Sequence, residues 1–323
     1  MKTKRKSAET QPPQVGVRLK TEKERKRRQI RKYIPIYLML IPVMIWFLIF
    51  KIGPIYGVQL AFKDYNMMKG IWGSEWNDFA HFKKLFSNYF FVRILVNTLK
   101  ISLLKLVTSI PAAVIFALLL NEIRHMAYKK VVQTISYLPH FISWVVAGSI
   151  FTLLLAPQHG AINSIIQLFG GEPIYFLGDS NYFVGTITVT SIWKSLGWDS
   201  IIYLAALSGV DPGLYEAAAI DGANRFQRVW HISLPHLLPT IVMLTTLSLA
   251  SVLSAGFDQI YNMYNPAVYS VGDIIDTYVF RQGFELGDYG FNTAVGLFKS
   301  VVAFILVMLA NWFSRKTVKY SMW

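Results

Sequence analysis

Cysteine is missing from this chain of 323 residues. That excludes a disulfide framework, a thiolate zinc site and a cysteine nucleophile. Charge is sparse: Asp, Glu, Lys and Arg make up 15% of the residues, against about 25% in soluble domains. Acids are the scarcer sign, 18 against 32 Lys and Arg, which leaves a net charge of +14. No G-x-x-x-x-G-K-[ST] loop occurs, so the chain does not hold ATP in a P-loop. H-E-x-x-H and G-x-S-x-G are absent too. His231 and His236 are poorly spaced to share a helix face, and the histidines read as structural or interfacial. Nothing here assembles into a catalytic constellation. No enzyme activity, cofactor or metal is expected of this chain.

What the chain does have is apolar length. Hydrophobic residues reach 54% and mean hydropathy is +0.39. With so little charge, that points to a membrane protein. A bilayer core takes about 20 apolar residues in a helix. Six segments qualify: 33–62, 101–120, 131–156, 182–208, 237–257 and 291–313. The expectation is an all-α integral membrane protein with six transmembrane helices.

Orientation follows from Lys and Arg in the connections. Residues 1–32 carry thirteen of them, including KERKRRQIRK from Lys23 to Lys32. A basic tail before a first span satisfies the positive-inside rule, and contact with anionic lipid is a natural second role. Nucleic-acid binding is not implied. Arg124, Lys129 and Lys130 follow the second segment, Arg225 and Arg228 follow the fourth, and Arg315, Lys316 and Lys319 follow the sixth. The connection 157–181 has none, and 258–290 has only Arg281 among five acids. The connection 63–92 is less clear, with Lys63, Lys69, Lys83 and Lys84. The balance places both termini in the cytoplasm, with the chain multi-pass in the plasma membrane. Residues 1–32 and 315–323 are then cytoplasmic tails, and 63–92 an external connection.

The segment 211–236 is neither apolar enough to span nor charged enough to be a plain solvated loop. Asp211-Pro212 is a helix start, an N-cap followed by proline at the first helical position. Leu214 to Ile220 favours helix, and Gly222 can take positive φ and end it. Asn224 can cap a second short helix, with Ser233-Leu234-Pro235 expected to stop it and turn the chain back into the membrane. Glu216-Ala217-Ala218, then Gly222, then Ile232, Leu234 and Pro235 fit the pattern E-A-A, three residues, G, nine residues, I-x-L-P without a gap.

That pattern resembles the EAA loop of permease subunits of binding-protein-dependent ABC importers. The resemblance extends over most of the chain. LMLIPVMIWFLIFKIGPIYGVQLAFKDYN from Leu38 to Asn66, and Asn97-Thr98-Leu99, are similar to the carbohydrate-uptake, maltose-type permeases, and within them to the complex-oligosaccharide group. The large external domain of the large maltose permease has no counterpart here. The resemblance implies a type I importer permease fold. Its core would cover 93–314, and the first span would wrap a partner subunit. It also implies a second permease subunit, two ATPase subunits carrying ATP and Mg, an external substrate-binding protein and an oligosaccharide cargo. Glu216, Ala217, Ala218, Gly222, Ile232, Leu234 and Pro235 would then dock on the ATPase and transmit its movements. A polyol such as glycerol phosphate is the alternative cargo. A receptor or assembly subunit, or a membrane enzyme, is a further alternative.

Ionisable residues at membrane depth usually face a bundle interior or a cavity. Trp193, Lys194, Trp198 and Asp199 form one candidate stretch of a sugar path. Lys194 and Asp199, five apart, would pair within their helix only if it unwinds near Gly197. Asp258, Gln259, Tyr261 and Asn262 form a second stretch. Lys105 and Lys299 are expected to reach an interface or neighbouring carbonyls rather than substrate.

Overall fold

The computed structural model describes residues 22–317. The tail up to residue 21 and residues 318–323, with Lys319, lie outside the described range. The chain divides into two units, residues 1–57 and 58–323.

The first unit is helical from Glu22 to Phe47 (α1), with Pro35 and Pro42 inside. A π turn, Leu48–Ile52, follows, then a 3-10 stretch, Gly53–Phe62. Side chains from Tyr33 to Tyr56 are exposed all round. A helix apolar on every face has no preferred aqueous side, as membrane burial requires.

The second unit opens on a two-residue hairpin pairing. β1 (Lys63–Asp64) runs antiparallel to β2 (Glu75–Trp76), with α2 (Gly70–Gly73) between them. α3 (Ala80–Ser87) and α4 (Tyr89–Glu122) follow. The Asn88 side chain accepts from the Phe90 N–H at 2.9 Å and so caps α4. α5 (Met126–Tyr137) and α6 (Trp144–Leu154) are two helices bent by 102°. The segment 131–156, expected as one span, is therefore broken. Pro139 has no N–H to continue the ladder. The chain makes a 3-10 turn, Leu138–Phe141, and restarts where the Ser143 hydroxyl accepts from the Val146 N–H at 3.3 Å.

α7 (Ala161–Leu168) and α8 (Ser180–Leu207) come next. Asp179 caps α8 by accepting from the Asn181 N–H at 2.8 Å. α8 is unbroken through Gly197. That glycine serves close approach instead of unwinding, since a Cβ there would lie 2.1 Å from the Ser136 carbonyl oxygen of α5. α9 (Pro212–Ile220), α10 (Arg225–Arg228), α11 (Leu234–Leu249) and α12 (Phe257–Met263) follow. The expected span 237–257 stops at Leu249; a 3-10 turn, Val252–Ser254, and left-handed backbone at Ala255 (φ 47°) and Gly256 (φ 80°) separate α11 from α12. α13 (Tyr269–Gly272), α14 (Ile275–Phe280) and α15 (Tyr289–Thr317) complete the unit.

Three clusters hold the helices. Ala113, Val114 and Ala117 of α4 meet Tyr203 and Leu207 of α8 and Leu237 of α11. Small side chains on α4 let these backbones approach closely, as in membrane bundles generally. Ile101 packs with Phe183 and Ile187 of α8 and with Ile260 and Met263 of α12. Phe91 and Ile94 pack with Val252, Leu253, Ile275, Phe291 and Val295. Between α11 and α15 a buried ion pair ties the connection: Arg281 Nη2 donates to Asp273 Oδ2 at 2.6 Å and Nη1 to Tyr264 Oη at 3.1 Å. Burial works against the guanidinium charge there, but Asp273 and Tyr264 outweigh it and raise its pKa further. Burial pushes the Tyr264 phenol up to about 12, so it stays neutral.

Among the described residues, four helical segments are long and apolar enough to cross a membrane, or five if α5 and α6 form one bent span. α8 is not one of them, because polar residues interrupt it.

Candidate functional site

The first candidate region is the segment around α9 and α10. Asp211 caps α9 by accepting from the Gly213 N–H at 2.9 Å, with Pro212 at the first helical position. Gly222 adopts φ 80°, a conformation that costs other residues about 1–2 kcal/mol. The Ala223 N–H returns to the Ala218 carbonyl at 2.9 Å, closing α9 in the manner of a glycine-terminated helix. Asn224 and Gln227 then form a reciprocal capping box at 2.9 and 2.8 Å.

The expected stop at Ser233-Leu234-Pro235 does not occur. α10 runs through a π turn, Val229–Ser233, straight into α11. Pro235 has no N–H to offer, and the wider turn, with the Leu234 N–H bonded to the Val229 carbonyl, absorbs the missing donor. Tyr215 bridges back to Ser233 at 2.8 Å and holds α9 against this turn.

Glu216 and Ala217 are exposed and Ala218 is half-buried. Ala218, Gly222, Gln227, Arg228 and Ile232 line a cleft of about 300 Å³ between the two short helices. Leu234 is half-buried and Pro235 exposed. Ile220 (87% exposed) and Phe226 (73% exposed) present apolar surface beyond the cleft. Both lie on a segment fixed by the Asp211 cap and the Asn224–Gln227 capping box.

The second region is a cavity of about 340 Å³ between α4, α8 and the α11–α12 break. Serines dominate its polar lining: Ser102 and Ser109 from α4, Ser191 and Ser195 from α8, Ser248 and Ser251 from the end of α11. Lys105, Asp199 and Tyr203 add the titratable groups. Of the residues singled out from the sequence as a sugar path, Asp199 is the one that lines this cavity. Ser195, one turn earlier, hydrogen-bonds it.

With α8 unbroken at Gly197, Lys194 does not pair with Asp199. Lys194 donates to the carbonyls of Pro139 (3.3 Å) and His140 (2.7 Å), and its ammonium stands 5.5 Å from the Trp144 ring centroid. It satisfies the carbonyls freed by the α5–α6 bend. Trp198 stacks on His140 at 4.3 Å, and Trp193 meets Phe151 edge-on at 5.2 Å. Trp198 packs on the bend and Trp193 on α6, and each remains exposed on its other face.

The second stretch also separates. Gln259 is 1% exposed and fully used. Its amide donates to the Ile187 carbonyl (2.7 Å) and Thr190 Oγ1 (2.9 Å), and its oxygen accepts from Lys105 Nζ (2.6 Å). Tyr261 stacks on Phe257, Asn262 donates to the Asp258 carbonyl, and Asp258 is exposed. Lys105 also donates to the Ala255 carbonyl at 2.8 Å, in line with its expected reach to carbonyls, and Ser102 donates to the carbonyl of Val252. Lys299 pairs with Asp276.

Sequence reasoning passed over the serines. Ser191, Ser195 and Asp199 recur every four residues, and Ser102, Lys105 and Ser109 at steps of three and four. That spacing puts each set on one helix face, a signal legible beforehand.

Residues 109–319, which include the loop and most of the cavity, match the family described as binding-protein-dependent transport system inner membrane component. The chain belongs to that family. As such it is a membrane-embedded transport component rather than an enzyme, with the type I permease fold. Protein LplB of Bacillus subtilis (strain 168) is 48% identical over 281 residues, covering 87% of this chain and 88% of the relative. The polygalacturonan/rhamnogalacturonan transport system permease protein YteP of the same organism is 44% identical over 315 residues, 96% and 98% of the two chains. A solved structure titled as a bacterial alginate ABC transporter, in complex with an alginate pentasaccharide-bound periplasmic protein, contains a similar chain. Its TM-score is 0.82 at 39% identity, with 91% of this chain and 99% of that chain covered.

Proposed function

We propose that this permease forms half of the translocation path of an ATP-driven importer for an oligosaccharide. The carrying observation is 44% identity, over 96% of this chain, to a permease named for polygalacturonan and rhamnogalacturonan transport, supported by likeness to a transporter described as importing the acidic polysaccharide alginate. In this reading the chain crosses the membrane six times, with α5 and α6 as one bent span, α8 as a polar one and both termini cytoplasmic. A second, different permease completes the path. Two ATPase subunits carry ATP and Mg, an external binding protein delivers cargo, and the basic tail contacts anionic lipid.

Glu216, Ala217, Ala218, Gly222, Ile232, Leu234 and Pro235 transmit ATPase movement. The support is a doubly capped, rigid pair of helices with exposed Ile220 and Phe226. Asp199 and the serines face the cargo. Trp193, Lys194, Trp198 and Gln259 hold the helix breaks beside it.

The test is ATP hydrolysis by the purified complex in proteoliposomes. Stimulation by the oligosaccharide-loaded binding protein is expected. Hydrolysis that ignores the loaded binding protein, with no sugar uptake, would refute the reading.

A further inference from the structure

Lys105 stands apart from the other cations at membrane depth. It lies midway along α4 and lines the serine cavity. Its two partners, the Ala255 carbonyl and the Gln259 side-chain oxygen, are neutral. Lys299, by contrast, is paired with Asp276. No carboxylate comes within ion-pair distance of Lys105 among the described residues. An ammonium has three donors, so one N–H remains beside the cavity after the two bonds are counted. Lys194 makes the same kind of tie to two carbonyls but does not line the cavity. A tie alone therefore does not require exposure to the path.

Burial of an ammonium is costly at this depth, and a donor left over beside a cavity bonds most strongly to an ionised acceptor. Carboxylates and phosphates both qualify. The rest of the lining selects between them. Six serine oxygens from three elements line it with the carboxylate of Asp199; four of the serines give their proton to a backbone carbonyl or to Asp199, so they accept from a ring bearing several hydroxyls. The volume of about 340 Å³ lies at the lower end of small-ligand pockets, about 300–1,000 Å³, and fits a short stretch of saccharide.

Resting on the reading as an oligosaccharide permease, we infer that Lys105 recognises the carboxylate of a uronic-acid unit, so that the cargo is an acidic oligosaccharide. The remaining N–H of Lys105 donates to the carboxylate, the serines exchange hydrogen bonds with ring hydroxyls, and Asp199 accepts from a hydroxyl at another point of the lining. This revises the expectation that Lys105 only reaches carbonyls. It makes that residue both a tie across the helix break and a selector.

The experiment uses the complete transporter in proteoliposomes, with tri-galacturonate and its carboxyl-reduced, neutral counterpart as probes. Lys105→Gln should lower the ratio of tri-galacturonate to neutral-sugar uptake roughly ten- to hundredfold, the size of a lost charge-assisted hydrogen bond. Lys105→Arg should retain most acidic uptake. Lys105→Arg should assemble and melt as the unsubstituted complex does, and Lys105→Gln, which leaves the Ala255 carbonyl without its donor, should assemble with a lowered melting temperature. Acidic uptake at the unsubstituted rate in Lys105→Gln, or equal loss of both sugars, overturns the inference.

Import of glycerol phosphate in place of either sugar also overturns it, and the oligosaccharide reading with it. Import of the neutral sugar alone sinks the inference but leaves that reading standing. If Lys105→Gln does not assemble, Ser191→Cys in the otherwise unsubstituted chain decides. Tri-galacturonate should slow its labelling by an aqueous thiol reagent and the reduced sugar should not. Equal protection by both sugars, or protection by neither, overturns the inference.

Discussion

Gly222 and Glu216 show how much one residue carries when its backbone or charge is specialised. Gly222 sits at φ 80° between two capped helices. Proline, locked near −65°, cannot occupy that turn without re-aiming α9. Glu216 is exposed on α9, so reversing its charge disturbs nothing inside the permease and acts only on what docks there. Gly222→Pro and Glu216→Lys are therefore expected to give normal amounts of assembled complex. A like charge placed across an interface costs several kcal/mol, so Glu216→Lys should lower ATP-driven uptake more than tenfold. Uptake in proteoliposomes, beside the amount of purified complex, checks both. Unimpaired uptake in the double variant would show that the loop does not couple.

At the scale of elements, two helix breaks are each answered by a lysine. The α5–α6 bend frees carbonyls that Lys194 takes, and the α11–α12 break frees one that Lys105 takes. An unsatisfied buried carbonyl costs about 1–3 kcal/mol. Lys194→Met should therefore destabilise the detergent-purified complex by about that amount. Asp199→Asn should leave stability near the parent value and change uptake. Because the two residues have separate partners, the double variant should match the sum within about 0.5 kcal/mol. A coupling above about 1 kcal/mol, by thermal or denaturant unfolding, would reinstate the ion pair within α8.

The connection between α11 and α15 depends on a different pair. Asp273 is nearly buried, bonded to Arg281 and to Thr277. Asp273→Asn leaves the guanidinium without its counter-charge, and a broken buried pair costs about 3–5 kcal/mol. A lowered melting temperature is expected, with Arg281→Met/Asp273→Leu recovering part of the loss.

For the whole molecule the decisive quantity is which ends face the cytoplasm. The native absence of cysteine makes single reporters clean. Asn163 is a poor position for one, because it is buried and its amide binds the carbonyls of Leu155, Ala156 and Ile174. Glu172 and Asp221 are exposed. Glu172→Cys should react with a membrane-impermeant thiol reagent from outside intact cells, and Asp221→Cys only after the membrane is opened. The reverse pattern would invert the topology.

Much was determined by local chemistry that a sequence carries by itself. Apolar runs specify helices in a medium where backbone groups must bond internally. Asp211-Pro212, Gly222 and Asn224 specify the caps of α9 and α10 because each acts within a turn of its own position. Family membership was legible for the same reason, from an ungapped local pattern.

What tertiary structure decided is where polar side chains found partners. Lys194 and Asp199 are near in sequence, yet one faces the carbonyls of a bent neighbour and the other a cavity. Gln259 looked open to cargo and is enclosed by α4 and α8. Helix breaks at Pro139 and at Ala255-Gly256 release carbonyls whose donors come from other helices. The bend, the left-handed turn and the distant lysine only make sense together. Buried polar groups must be satisfied, but the sequence does not say by whom, because the partner is chosen by packing between elements 55 or 150 residues apart.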